Sequence, residues 1–345
     1  MSMSRRLSKW EPRKPVPAED RQLTSAMIAS LAAEGLPTVS APFGHALAEL
    51  AETQKNIVGL TADLAKYTDL HVFAQKHPER FYQMGMAEQL LFSAAAGMAK
   101  EGFIPFATTY AVFASRRAYD FICMAIAEDN LPVKIVCGLP GLTTGYGPSH
   151  QATEDVAIFR GMPNMTIVDP CDALDTAQAV PAIAAHDGPV YMRLLRGKVP
   201  SVLQDYDYKF ELGKAKVLTE GNDVLIISSG FMTMRALEVA NTLKADNIGV
   251  SVLHAPTIKP LDTETILREC AKPGRLVVVA ENHTEIGGLG EAVAMTLMKN
   301  QVFPVLKQVA LPDEFLDAGA LPVLHDQYGI SVSAMLTKIK MWLNK

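Results

Sequence analysis

The chain has 345 residues, 49% of them apolar and 20% charged, which is enough for two globular cores. Its net charge is only −5 and its lysines and arginines are scattered, so no stripe for a nucleic-acid backbone is visible. No run reaches the roughly 18 to 20 apolar residues needed to span a bilayer, so neither a nucleic acid nor a membrane is an expected partner.

Residues 1–20 are polar and rich in Pro, Lys and Arg, without the apolar core of a secretory signal, and read as a flexible arm. Four cysteines, Cys123, Cys137, Cys171 and Cys270, lie far apart with neither CxxC pairs nor zinc spacing, and three sit in apolar stretches. They read as reduced thiols of a cytoplasmic protein, and no metal site is expected in the chain itself.

Residues 26–52 carry apolar positions at mixed helical spacing, interrupted by Gly35, Pro37 and Pro42, and residues 56–60 read as a short strand. Further strand-like runs fall at 103–106, 133–137, 165–168 and 190–194, with helix-like segments between them. This alternation predicts an α/β fold with a largely parallel sheet covered on both faces. Residues 201–221, with a tyrosine- and aspartate-rich stretch and a polar turn, read as a linker. A second α/β set follows, with strands at 224–227, 249–253 and 276–279 and helices near 234–244, 263–271 and 290–299. The expected organisation is an arm at 1–20, one domain at 21–200, the linker at 201–221 and a second domain at 222–345.

Three segments carry chemistry. Residues 80–89 read as a strand, a glycine turn and the first turn of a helix in which Glu88 is the only carboxylate. Glu88 either complements the helix dipole or, desolvated by its alanine and leucine neighbours, shares a proton with a heterocyclic nitrogen. Residues 109–120 place Tyr110, Phe113 and Arg116 or Arg117 on or near one helical face. The aromatics are ordinary core or the walls of a flat-ring pocket, and the arginines a solvated face or part of that pocket. Residues 138–151, with four glycines and two prolines, form a loop between a strand and a helix, where open α/β sheets place ligands. His150 in that loop caps a turn, or donates to an oxyanion or shuttles a proton. The loop matches neither a dinucleotide fingerprint nor a P-loop.

Together, Met84-Gly85-Met86-Ala87-Glu88-Gln89, the Tyr110-x2-Phe113-x2-Arg116 spacing, and Gly147-Pro148-Ser149-His150-Gln151-x2-Glu154-Asp155 resemble the pyrimidine-binding domain of transketolases and deoxyxylulose-phosphate synthases. Residues 280–290 resemble the family's C-terminal domain. The resemblance implies thiamine diphosphate as cofactor, with Glu88 on the N1′ nitrogen of its aminopyrimidine, favouring the imino tautomer. It implies Asp63, Tyr110, Phe113 and Arg116 around the same ring. His150 and Tyr146 would face the substrate, and Arg196 would grip its phosphate, a task suited to a planar fork of donors. The family's Gly-Asp-Gly sequence, which holds Mg²⁺ and the diphosphate, does not occur here. A separately encoded N-terminal transketolase subunit carrying that domain is therefore the expected partner, in an alpha2beta2 heterotetramer acting on sugar phosphates.

Three positions depart from the family. Ser40 falls where many relatives have a phosphate-binding arginine, Gly138 where transketolases have a histidine, and Tyr146 where they have an aspartate. They imply a specialised ketose such as a branched or modified sugar phosphate, of which apulose 4-phosphate is one example. The beta subunit of a 2-oxoacid dehydrogenase, or a non-catalytic scaffold of the same fold, are the competing expectations.

Overall fold

The computed structural model describes residues 36–344; the expected arm, and the helical stretch before residue 36, lie outside them. The first domain runs β1 (Thr38–Ser40), α1 (Pro42–Thr53), β2 (Ile57–Thr61), α2 (His71–Lys76), β3 (Phe81–Gln83), α3 (Glu88–Lys100) and β4 (Ile104–Tyr110). It continues through α4 (Tyr119–Ile122), β5 (Lys134–Gly138), α5 (Asp155–Arg160), β6 (Thr166–Val168), α6 (Ala173–Ala184), β7 (Val190–Leu194) and β8 (Lys198–Pro200). The second holds β9 (Lys216–Thr219), β10 (Val224–Ser228), α7 (Met232–Ala245), β11 (Val250–His254), β12 (Thr257–Lys259), α8 (Thr263–Cys270) and β13 (Leu276–Thr284). It closes with α9 (Leu289–Lys299), β14 (Val305–Leu311), α10 (Leu321–Gln327) and α11 (Val332–Leu343).

Continuous apolar runs make the central strands. β2, β5, β7, β10 and β11 are buried at every residue, as strands of parallel sheets with helices on both faces must be. The first sheet has the order β12-β6-β7-β5-β4-β2-β3, parallel throughout except for β12. The second has the order β14-β13-β10-β11-β9, with β9 antiparallel. These are the two α/β domains expected, flanked by helices.

Two features join the domains. β12, which follows β11 in the chain, crosses back to pair with β6 and closes the edge of the first sheet. Between the sheets, the buried Arg193 guanidinium donates to both Asp155 oxygens at 2.9 Å, to Asp169 at 3.2 Å and to the Asn282 carbonyl at 2.9 Å. A buried charge tolerates desolvation only with such partners, so these contacts hold the two units in one arrangement.

Among the differences between the structure and the sequence reading are the following. Tyr110 is the last residue of β4, paired with Gly138 of β5, and does not stand on a helix. The residues after it wind as π turns at Phe113–Arg117 and Cys123–Ala127, in which Ala118 N–H donates to the Phe113 carbonyl at 3.2 Å and Glu128 N–H to that of Cys123 at 2.9 Å. In addition, β9 lies inside the stretch expected as linker. All four of its residues are half-buried along an edge, so it has no alternation to make it stand out from its polar surroundings.

Candidate active site

The candidate residues collect at the carboxyl ends of adjacent parallel strands, the place where α/β sheets bind ligands. Asp63 follows β2, Glu88 follows β3, Tyr110 ends β4, the loop of His150 follows β5 and Arg196 follows β7.

Glu88 is the first residue of α3 and only 2% exposed. Arg117 Nη1 donates to Glu88 Oε2 at 2.9 Å, and the same guanidinium lies 4.3 Å from the centre of the Phe113 ring. The other carboxylate oxygen, Oε1, makes no hydrogen bond among the described residues. Behind it, burial pushes the Cys137 thiol well above its usual range, so it stays neutral. The turn before α3 is fixed by Gln83, whose Oε1 accepts from Asp63 N–H at 2.7 Å and Gly85 N–H at 3.1 Å, while its Nε2 donates to Asp63 Oδ1 at 3.3 Å. Asp63 has φ of 59°, a left-handed conformation that lifts it out of the strand line.

Three rings surround His150: Tyr110 at 6.1 Å, Phe113 at 5.5 Å and Tyr146 at 5.5 Å between centroids, each edge-on. Its Nδ1 is hydrogen-bonded with Ser149 Oγ at 2.9 Å, and its Nε2 makes no hydrogen bond among the described residues. Tyr146 is 56% exposed and stands at the opening. Arg116 holds this loop in place: it pairs with both Glu154 oxygens and donates to the carbonyls of Pro148 at 2.8 Å and Gln151 at 3.2 Å. Its donors are thus turned to the loop, whereas Arg117 serves Glu88. The spacing left both arginines open, and the family resemblance implied Arg116. The π turn, which carries one more residue per turn, is what separates them.

The loop leans on the second domain. Asn282 Oδ1 accepts from Leu142 N–H at 2.8 Å and its Nδ2 donates to the Pro140 carbonyl at 3.2 Å. Gly141, at φ of 57°, has no room for a side chain, because a Cβ there would lie 2.2 Å from the Asn282 carbonyl oxygen. Gly145 packs as closely, with a Cβ placed there only 1.9 Å from the Gly319 oxygen. Arg196 is 9% exposed and lies 5.6 Å from the centre of the Tyr67 ring. Tyr67 and Gln83 were not singled out from sequence. An exposed tyrosine in a short turn and a glutamine in an edge strand have no spacing that marks them.

A planar aminopyrimidine fits these residues: the buried Glu88 keeps one carboxylate oxygen unshared, the Arg117 that binds its other oxygen lies over the Phe113 ring, and Tyr110 and Phe113 form a tilted aromatic pair with centroids 5.8 Å apart. Among the described residues no group of three or more His, Cys, Asp or Glu is placed to hold a metal ion.

Comparison with known proteins assigns both halves. Residues 37–201 match the transketolase pyrimidine-binding domain and residues 213–335 the transketolase C-terminal domain, which defines a pyrimidine-binding unit joined to its companion domain. The chain is 70% identical to the transketolase family protein y4mN of Sinorhizobium fredii over 326 residues, covering 94% of each. It is 40% identical to the 6-deoxy-6-sulfo-D-fructose transketolase subunit SqwH of Clostridium sp. over 291 residues, 84% of this chain and 89% of that one. A solved split-gene transketolase, described as an inactive beta4 tetramer, superposes with a TM-score of 0.81 at 40% identity, over 89% of this chain and 99% of that one. The chain belongs to the transketolase family, and this kinship supports a thiamine diphosphate-dependent transferase role.

Proposed function

We propose that this chain is the pyrimidine-domain subunit of a two-subunit transketolase, which moves a ketol unit from a ketose donor to an aldose acceptor. The observation that carries the reading is the buried Glu88 carboxylate, with one oxygen on Arg117, whose guanidinium lies over the Phe113 ring, and the other oxygen unshared. Thiamine diphosphate, when bound, supplies the electron sink that C–C cleavage in a ketose requires. Glu88 would hold a proton at the N1′ nitrogen of its pyrimidine, and Tyr110 and Phe113 would set the plane of that ring. Asp63, braced by Gln83, lines the same space. His150, with Nδ1 engaged by Ser149, offers Nε2 to the oxygens of the substrate, and Tyr146 borders the entrance.

The diphosphate and Mg²⁺ are assigned to a partner, an N-terminal transketolase subunit, in an alpha2beta2 heterotetramer. In support, Met86, Leu90, Tyr119, Phe121 and Met124 are exposed on the segments flanking Glu88 and Arg117, an apolar surface of the kind that protein contacts cover. By analogy with the inactive beta4 tetramer of the split-gene relative, this chain alone is expected to self-associate without activity.

The test is to assay ketol transfer by the chain alone and mixed with a diphosphate-binding subunit, with thiamine diphosphate, Mg²⁺ and a panel of ketoses. Activity confined to the mixture is the expected result. An assembled, cofactor-loaded mixture that decarboxylates a 2-oxoacid but cleaves no ketose would give the function to a 2-oxoacid dehydrogenase, and silence on both to a scaffold.

A further inference from the structure

Two grooves adjoin on the face of the molecule where the described residues begin. Leu36 is part of the wall of a cavity of about 590 Å³ at the seam between the domains, beside the half-buried Val202, Tyr206 and Val332 and over a floor that includes Met234 and Leu237 of α7. Ser333, near the start of α11, stands in the wall of this cavity and of a second one, of about 880 Å³, between the end of β14 and helices α10 and α11. The charged residues of the second groove are Glu285, Glu314, Asp326 and Lys338, three carboxylates against one amine. That amine is engaged, donating to the Gly329 carbonyl at 3.1 Å. One groove thus has an apolar floor and the next is acidic, and a single ligand that fills both needs the same two characters in the same order.

The sequence that leads into Leu36 has them. Leu23, Met27, Ile28 and Leu31 fall at intervals of four, one and three, the spacing of an apolar stripe. Further from Leu36, residues 5–14 contain Arg5, Arg6, Lys9, Arg13 and Lys14 against the single carboxylate of Glu11. From Lys14 to Leu36 there are 22 steps along the chain, which span about 33 Å even at the 1.5 Å rise of a helix, so the basic stretch reaches past the first groove to its neighbour. Attachment at Leu36 also sets a high effective concentration, in the millimolar range, so that ion pairs that are weak singly are sufficient together.

We propose that the occupant of both grooves is the N-terminal segment of this same chain, which acts as a strap: residues 23–31 fill the apolar groove and the basic residues 5–14 the acidic one. The strap crosses from the residues that follow β8 to α11 and ties the second domain to the first from outside. The inference is independent of the ketol-transfer reading.

The test uses the full chain. Carbodiimide coupling, which joins a lysine to a carboxylate only where the two touch, should link Lys9 or Lys14 to Glu285 or Glu314. In a mixture of isotopically light and heavy protein, each linked pair of peptides should carry one label only. Glu285 and Glu314 are exposed, so Glu285→Lys with Glu314→Lys should leave the circular dichroism unchanged. Trypsin should nevertheless cleave that variant after Lys9 at least about tenfold faster than the native chain, because cleavage follows the population of the open form. Adding Arg13→Glu and Lys14→Glu, which reverses both sides of the contact, should restore slow cleavage. Links that carry both labels would give the groove to the arm of a second copy, and links lost on addition of the diphosphate-binding subunit would give it to that subunit; either result overturns the inference. So does an absence of links together with equal cleavage of the native and variant chains.

Discussion

Arg116 and Arg117 are neighbours in the chain with opposite duties, and they test the site at the scale of single residues. Arg117 is 46% exposed at its side chain, yet its hydrogen bond goes to a carboxylate that is not. Removing it leaves Glu88 buried without a partner, so Arg117→Gln in the assembled enzyme should lower kcat/KM by about tenfold to a hundredfold, the range of a charged hydrogen bond. Arg116→Gln instead releases the 148–154 segment. It should destabilise the fold by about 1–3 kcal/mol in urea titration, and addition of Glu154→Gln should cost little more, because the two side chains share one interaction. A double variant that loses the sum of both single effects would contradict that pairing. Glu88, Tyr110, Phe113 and His150 were all legible as candidates in the sequence, because their residue types and spacing are unusual together. The choice between the arginines was not. Counting 3.6 residues per turn places a side chain correctly only while the helix is α, and a π turn shifts the register by one.

Among the elements, the central strands and most helices could be read from apolar runs, whereas β9, β12 and β14 could not. β14 begins with alternating exposed and half-buried residues along an open edge and buries only Val309 and Leu311, and β12 is three residues that pair with a strand nearly a hundred positions earlier. Such pairings depend on the assembled fold, not on a local pattern. Much of the apparent site motif also proves to be joinery: Asp155, Asn282 and Glu154 position the loop of His150 from behind. His325 in α10 belongs to the same framework. A guanidinium only donates, so the bond from Arg235 at 2.8 Å makes His325 Nδ1 an acceptor and leaves Nε2–H to donate to the Leu142 carbonyl at 2.8 Å. Burial first, and then Arg235, depresses its pKa from 6.5 to about 3. Between those values the unfolded chain takes up a proton that the folded chain refuses. The stability this histidine provides is therefore complete above pH 6.5 and declines as pH falls towards 3, at up to about 1.4 kcal/mol per pH unit. Urea midpoints from pH 7.5 to 4 should fall more steeply in the native protein than in His325→Asn; equal slopes would remove His325 from the acid response.

At the scale of the whole molecule, two sheets are locked by β12 and by the Arg193 cluster, and the candidate site lies open on one side of that rigid body. Its apolar border predicts how the site is completed. Leu90→Glu, on an exposed face of α3, should leave the secondary structure and thermal unfolding of the isolated chain unchanged but weaken capture of the diphosphate-binding subunit by at least about tenfold, since a buried charge at an interface lacks a partner. Undiminished association would place the interface elsewhere. The central claim is that Glu88 acts on the cofactor's pyrimidine in ketol transfer. The most direct measurement is turnover by the assembled complex carrying Glu88→Gln, with assembly and cofactor binding verified separately. A loss of about a hundredfold to ten-thousandfold with assembly intact is the result predicted; unchanged turnover would contradict it.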